Sequence, residues 1–200
     1  MAYTETIETK EAANMKVMLT SCGLETETIK DRFLRMLDKS PADLNALFIP
    51  TAAIDADAIG VLPKCMNDLL SCGIPKEKIR VFDLHKNMSS DELKAFDVVY
   101  LCGGNTEYLL NRINDTGFRD SLLSYIKNDG FVIGVSAGSL IFANNLSDNL
   151  GLLDKKLNVH CEKSSTVGHI SFPLKEKVQL SNTAAMVIHR IPGDVEIVDD

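Results

Sequence analysis

Two hundred residues, 45% of them hydrophobic, fit one globular domain with a proper core. A formal charge of −7, with 21 basic residues dispersed rather than gathered into a stripe, argues against nucleic acid as a partner. The longest apolar stretches are far too short to span a bilayer, so no membrane association is expected.

The chain begins with an acidic, polar stretch, Met1-Ala2-Tyr3-Thr4-Glu5, that lacks the apolar centre of a signal peptide, and the expected location is the cytoplasm. Residues 1–14 read as a flexible extension ahead of a single α/β domain over 15–200. Short β-rich runs then alternate with amphipathic helical patterns. The strands are expected at Lys16–Thr20, Ala46–Ile49, Ile79–Phe82, Val98–Cys102 and Phe131–Val135. The helices are expected at Glu25–Leu37, Ala56–Ser71, Ser89–Ala95, Tyr108–Ile113 and Phe118–Lys127. That alternation predicts a parallel sheet covered by helices on both faces. The last forty residues change character, to short strands at Leu157–His160, Lys177–Leu180, Met186–His189 and Glu196–Val198. Pro192-Gly193 marks a turn, and Val195–Val198 is expected to close a peripheral hairpin.

Gly134-Val135-Ser136-Ala137-Gly138 follows the apolar run Phe131-Val132-Ile133 and precedes the helix-like Ser139-Leu140-Ile141-Phe142-Ala143. Strand, Gly-x-Ser-x-Gly and helix together form the pattern of a nucleophile elbow. The turn is sharp enough to strain the central residue, and glycines two positions to either side remove Cβ atoms that would collide. The alternative is a Gly-rich turn whose serine only caps the helix. In an open α/β sheet, ligands bind beyond the carboxyl ends of the strands. Both Gly103-Gly104 and Ser136 fall there.

A serine hydroxyl needs a base, and the base needs a group that holds its tautomer. Of four histidines, His85 and His189 read as surface residues and His169 competes, but His160 is favoured because it ends an extended run, Lys156-Leu157-Asn158-Val159. For the acid, Asp148 in the turn after the elbow helix is preferred to Asp154, and both lie between serine and histidine. An oxyanion hole requires two converging N–H donors, one from Ala137 and one from the loop Gly103-Gly104-Asn105-Thr106. That loop lacks a P-loop lysine and a Gly-x-Gly-x-x-Gly spacing, so it does not read as a phosphate cradle and no cofactor is expected. Five scattered cysteines, Cys22, Cys65, Cys72, Cys102 and Cys161, have no metal-ligand spacing, which leaves neither metal nor disulfide in the expectation.

With these residues in place the chain resembles the peptidase E family, serine peptidases that include aspartyl dipeptidase and cyanophycinase. The resemblance rests on Ala46-Leu47-Phe48-Ile49-Pro50-Thr51-Ala52, Gly103-Gly104-Asn105-Thr106 with Leu109-Leu110, Ile133-Gly134-Val135-Ser136-Ala137-Gly138-Ser139 and Leu157-Asn158-Val159-His160. It implies the three-layer, doubly wound, flavodoxin-like fold of class I glutamine amidotransferases. It further implies Ser136 as nucleophile, His160 as base, and Gly104 with Ala137 as oxyanion donors; Asp148 stands only approximately where the family has its acid. The expected activity is hydrolysis of short peptides, with room for a homodimer. The family's proline before the base is Val159 here, and Cys161-Glu162-Lys163-Ser164-Ser165-Thr166 holds no arginine to pair with an aspartyl side chain, so aspartyl specificity does not carry over. Two other readings stay open: an esterase or amidase of another serine hydrolase class, and a binding protein that keeps the elbow without effective catalysis.

Overall fold

The computed structural model describes residues 13–191 and 193–200. Its framework is an eight-stranded sheet in the order β3-β2-β4-β5-β1-β9-β10-β7. The strands are β1 (Ala13–Thr20), β2 (Ala46–Ile49), β3 (Ile79–Val81), β4 (Val98–Leu101), β5 (Phe131–Val135), β7 (Gly168–Ile170), β9 (Ala185–Ile191) and β10 (Asp194–Val198). From β3 to β1 every neighbour is parallel, and from β1 outward through β9 and β10 to β7 every neighbour is antiparallel. The sheet is therefore mostly parallel at its functional end. A separate two-stranded sheet pairs β6 (Leu157–Cys161) with β8 (Val178–Ser181).

Parallel strands buried on both faces read as continuous apolar runs, and β2, β4 and β5 are buried at every position. Successive side chains alternate between faces. Val17, Leu19, Leu47, Ile49, Val99 and Leu101 pack on one side, against Leu109, Ile113, Leu122 and Ile126 of α4 (Thr106–Asp115) and α5 (Phe118–Lys127). Met18, Ala46, Phe48, Val98, Tyr100 and Ile133 pack on the other, against Ile29, Phe33 and Leu69 of α1 (Glu27–Arg35) and α2 (Ala56–Ser71). Helix starts are fixed by side-chain caps: Thr26, Asp55 and Asn105 accept from Ile29, Ala58 and Tyr108 N–H groups respectively.

The C-terminal hairpin, β9 with β10, is built into the main sheet through β9 against β1, rather than lying apart from it. Strand β1 starts at Ala13, so the last two residues of the expected extension belong to it, while residues 1–12 lie outside the described residues, as does Pro192 of the expected turn. No helix among the described residues is long and apolar enough to cross a membrane.

Candidate active site

Three neighbouring strands, β4, β5 and β1, deliver their carboxyl ends side by side, with Leu101 in register with Gly134 and Thr20 with Val135. Directly beyond them come Gly103-Gly104, Ser136 and Ser21-Cys22. Ser136 has φ +48° and ψ −108°, a conformation that L-residues rarely adopt and that persists only where the surroundings enforce it. The enforcement can be named. A Cβ on Gly134 would lie 2.4 Å from the Gly138 carbonyl oxygen, and one on Gly138 would lie 2.3 Å from that of Leu101. The Ser136 N–H donates to the Thr20 carbonyl at 2.9 Å. Ser139, fully buried, donates to the carbonyls of Thr20 and Gly134 and accepts from the Thr20 N–H.

The helix after the elbow, α6 (Ala137–Leu140), is a single turn. Its dipole contributes little, because a macrodipole needs several aligned peptide units. Equally, the Ser136 hydroxyl makes no capping bond to α6, which removes the capping role as its reason for being there. It is held out toward the cleft instead.

The Ser136 Oγ lies 2.9 Å from Nε2 of His160. His160 reaches it from a register irregularity between Asn158 and Cys161 in the β6–β8 pairing, where its own φ is +56°. Bulges of this kind re-aim a side chain that a regular strand would send elsewhere. Ser21 braces the bulge: its hydroxyl accepts from the His160 N–H at 3.1 Å and donates to the Leu180 carbonyl at 3.1 Å.

On the far side of the ring, Nδ1 meets Oδ1 of Asn182 at 2.8 Å. This residue was not anticipated from the sequence. Asn182 occupies the turn after β8, and its neighbours are pinned by Asp199, whose carboxylate accepts from Ser164 at 2.6 Å, Thr183 at 2.6 Å and Ser181 at 3.0 Å. Burial works against that charge, but the three hydroxyl bonds outweigh it and hold the Asp199 carboxyl below its ordinary value.

The expected acid stands elsewhere. Asp148 is exposed, makes no hydrogen bond to His160, and is anchored by its backbone, its carbonyl accepting from Arg119 at 2.9 Å. Asp154 is also engaged elsewhere, its Oδ1 accepting from the Leu174 N–H at 3.3 Å. Both sit in the connection between α6 and β6, where Asp148 is held through its backbone and Asp154 through its carboxylate, which also pairs with Lys155 at 3.7 Å. Among the other histidines, His169 pairs with Asp194 at 3.2 Å, His189 lies beside Glu196 and Arg32, and His85 lies beside Asp83.

The glycine loop faces the elbow. A Cβ on Gly103 would come within 3.2 Å of the Ser136 Cβ, and one on Gly104, at φ +137°, would meet the Ala52 carbonyl oxygen at 2.1 Å. Asn105 fixes the loop from beyond, its N–H on the Ala52 carbonyl and its side chain capping α4. Among the described residues neither the Gly104 nor the Ala137 N–H donates to a protein acceptor.

Ser136, His160, Gly103 and Gly104 line one cleft of about 310 Å³, together with Cys22, Glu25 and one face of α2. Cys22 lies 3.8 Å from the Nδ1 edge of His160, not the Nε2 edge that faces the serine. Burial, then the charge of Glu25, pushes its thiol pKa up, so it stays protonated and unreactive at neutral pH. Behind the cleft, Asp68 of α2 ties down the segment after β1. Its carboxylate accepts from the Tyr100 hydroxyl at 2.5 Å and the Leu24 N–H at 2.9 Å.

The model of Peptidase family S51 matches residues 17–167, which span the glycine loop, the elbow and His160. The chain belongs to peptidase family S51. This is a family of serine peptidases. An uncharacterised peptidase of Listeria monocytogenes serovar 1/2a is 29% identical over 100 residues, 50% of this chain and 49% of that protein. An uncharacterised peptidase of Pasteurella multocida (strain Pm70) is 28% identical over 99 residues, 50% of this chain and 48% of its own length. The match thus spans about half the length of these curated relatives. Among solved structures, a protein of Listeria monocytogenes EGD-e described as a candidate peptidase E superposes with a TM-score of 0.70 at 23% identity, covering 93% of this chain and 99% of that one. A peptidase from an acI-B1 Actinobacterium superposes with a TM-score of 0.64 at 13% identity, covering 94% and 89%. At these identities the superpositions establish the shared fold, that of the peptidase E proteins.

Proposed function

We propose that this S51 chain is a serine peptidase of short peptides, in which Ser136 is the nucleophile, His160 the general base and Asn182 the group that orients the base. The supporting observation is the 2.9 Å contact between the Ser136 Oγ and Nε2 of His160 at a strained elbow. An Asn182 oxygen on Nδ1 selects the tautomer with its proton there, leaving a lone pair on Nε2 aimed at the serine.

In that arrangement His160 takes the Ser136 proton as Oγ attacks the scissile carbonyl carbon. The oxygen that gains charge is received by the Gly104 and Ala137 N–H groups, which among the described residues have no other partner to give up. His160 then passes its proton to the leaving amine, the carbon–nitrogen bond breaks, and an acyl-Ser136 ester remains. Water, deprotonated by His160, attacks the ester carbon; the carbon–Oγ bond then breaks, His160 returns the proton to Oγ, and the acid is released. An asparagine in the third position orients the ring but offers no negative charge to the imidazolium, so the transition state depends more heavily on the two amide donors than it would with a carboxylate.

The test is turnover of a dipeptide and tripeptide panel by the wild type and by Ser136→Ala. Hydrolysis that disappears with the hydroxyl supports the reading; hydrolysis that survives the substitution refutes Ser136 as nucleophile. Hydrolysis of simple esters with no peptide cleaved would favour the esterase reading instead.

A further inference from the structure

Helix α2 carries an apolar stripe at Ala58, Val61, Leu62, Cys65 and Leu69, the spacing of one helical face. Its second half enters the core: Leu69 is fully buried and Cys65 nearly so. Its first half becomes the wall of the cleft, lined by Ala58, Val61 and Leu62, with Leu62 also packed against the core. Val61 is 50% exposed there, so its side chain is open to a ligand in the cleft.

Two charged side chains line the same cleft, Glu25 and Lys64, and they bind each other at 2.5 Å. Their charges cancel, and among the described residues the cleft is lined by no arginine. The wall also has a defined position relative to the chemistry. Gly104 backs onto Ala52 and Ala53, which lead into α2 three residues later, so the stripe stands on the oxyanion-loop side of Ser136. In the mechanism proposed above, the scissile carbonyl would sit between the Ser136 hydroxyl and that loop.

Resting on the serine-peptidase reading, we propose that the Ala58–Val61–Leu62 wall is the specificity subsite for the residue that supplies the scissile carbonyl, and that this residue is apolar and uncharged. A leucine or methionine side chain buried on the stripe is stabilised by about 1.5–3 kcal/mol, or roughly 10–100-fold in kcat/KM. An aspartate in the same place loses hydration, and Lys64, the one lysine or arginine that lines the cleft among the described residues, is already paired with Glu25.

The experiment measures the second-order rate at which aminoacyl diphenyl phosphonates label Ser136, using side chains of Leu, Met, Phe, Ala, Asp, Glu and Lys, with a side-chain-free fluorophosphonate as reference. Each labelling forms an Oγ–phosphorus bond and breaks one phosphorus–phenoxide bond, and His160 passes the serine proton to the departing oxygen, which leaves as phenol. The proposal expects Leu or Met to exceed Asp by 10–100-fold, and Leu62→Arg to narrow that gap at least tenfold. Equal rates for Leu and Asp, a preference for Asp or Glu, or labelling by the reference alone would overturn the subsite and leave the nucleophile standing. No labelling by any probe, reference included, would overturn the serine-peptidase reading and the subsite with it.

Discussion

Nδ1 of His160 stands 2.8 Å from the amide oxygen of Asn182, a residue 22 positions further along the chain and one strand away. The pairing β6–β8 makes them neighbours, since Cys161 is in register with Ser181. A carboxylate acts one step back: Asp199 holds the residues on either side of Asn182, Ser181 and Thr183.

Replacing Asn182 separates orientation from charge. Asn182→Ala frees the ring and is expected to lower kcat about 10–100-fold with KM little changed, as loss of an orienting hydrogen bond does. Asn182→Asp keeps the acceptor and adds a negative charge, which favours the imidazolium. The acid limb of the kcat/KM profile should then move up by roughly 1–3 pH units. A profile that does not move would mean that residue 182 is not in contact with the base.

Asp199→Ala releases three hydroxyls and with them the turn that carries Asn182. The expected result is a several-fold loss of kcat without loss of KM, partly restored in Asp199→Asn, which still accepts hydrogen bonds. The sign of the pH effect follows from a carboxyl held below its ordinary value of 3.8. Its contribution to stability is present above that value and is lost as pH falls through the lower, folded-state value. The gap in Tm between wild type and Asp199→Ala should accordingly shrink on acidification below about pH 4.

Gly104→Ala places a methyl 2.1 Å from the Ala52 carbonyl oxygen at a φ of +137°. The loop must shift away from Ala52, which displaces the Gly104 N–H, at a cost of about 1–3 kcal/mol in stability and with loss of one oxyanion donor, worth about 3–4 kcal/mol in the barrier. Urea melts and single-turnover acylation read the two effects separately. Gly60→Ala, on the exposed face of α2 where nothing lies within 4 Å, serves as the control and should raise stability slightly.

Asp68 is the buried carboxylate behind the cleft. Burial raises its pKa above 3.8 despite the bonds from Tyr100 and Leu24, so its ionisation opposes folding, and its contribution is lost as pH rises through the folded-state value. Asp68→Asn keeps an acceptor for both donors and should gain on the wild type between urea melts below pH 3.8 and at neutral pH. Asp68→Ala strands both donors and should cost about 1–3 kcal/mol at either pH.

How much of this was legible in the chain differs by element. Helices α2 and α5 have the bounds their periodicity gives, Ala56–Ser71 and Phe118–Lys127, because apolar spacing and polar flanks agree there. Strands β2 and β5 were equally plain, as short apolar runs buried on both faces. Strand β7 was invisible: three residues, Gly168–Ile170, half-exposed on an edge, carry no periodic signal. The elbow could be read because its strain demands glycines at 134 and 138, and such demands leave a mark in sequence. Asn182 left none. It follows the histidine in the chain, it is a common turn residue, and only the β6–β8 pairing brings it to the ring. Asp148 was attractive as a carboxylate between serine and histidine, but order along a chain does not determine which side chain meets Nδ1.

The most direct measurement is intact-mass and peptide-map analysis of the protein after reaction with a fluorophosphonate, followed over time for the wild type, Ser136→Ala and His160→Ala. The expected result is a single adduct on Ser136, none in Ser136→Ala, and a rate lowered by at least 100-fold in His160→Ala. An adduct on another residue, or one on Ser136 that forms equally fast without the imidazole, would contradict it.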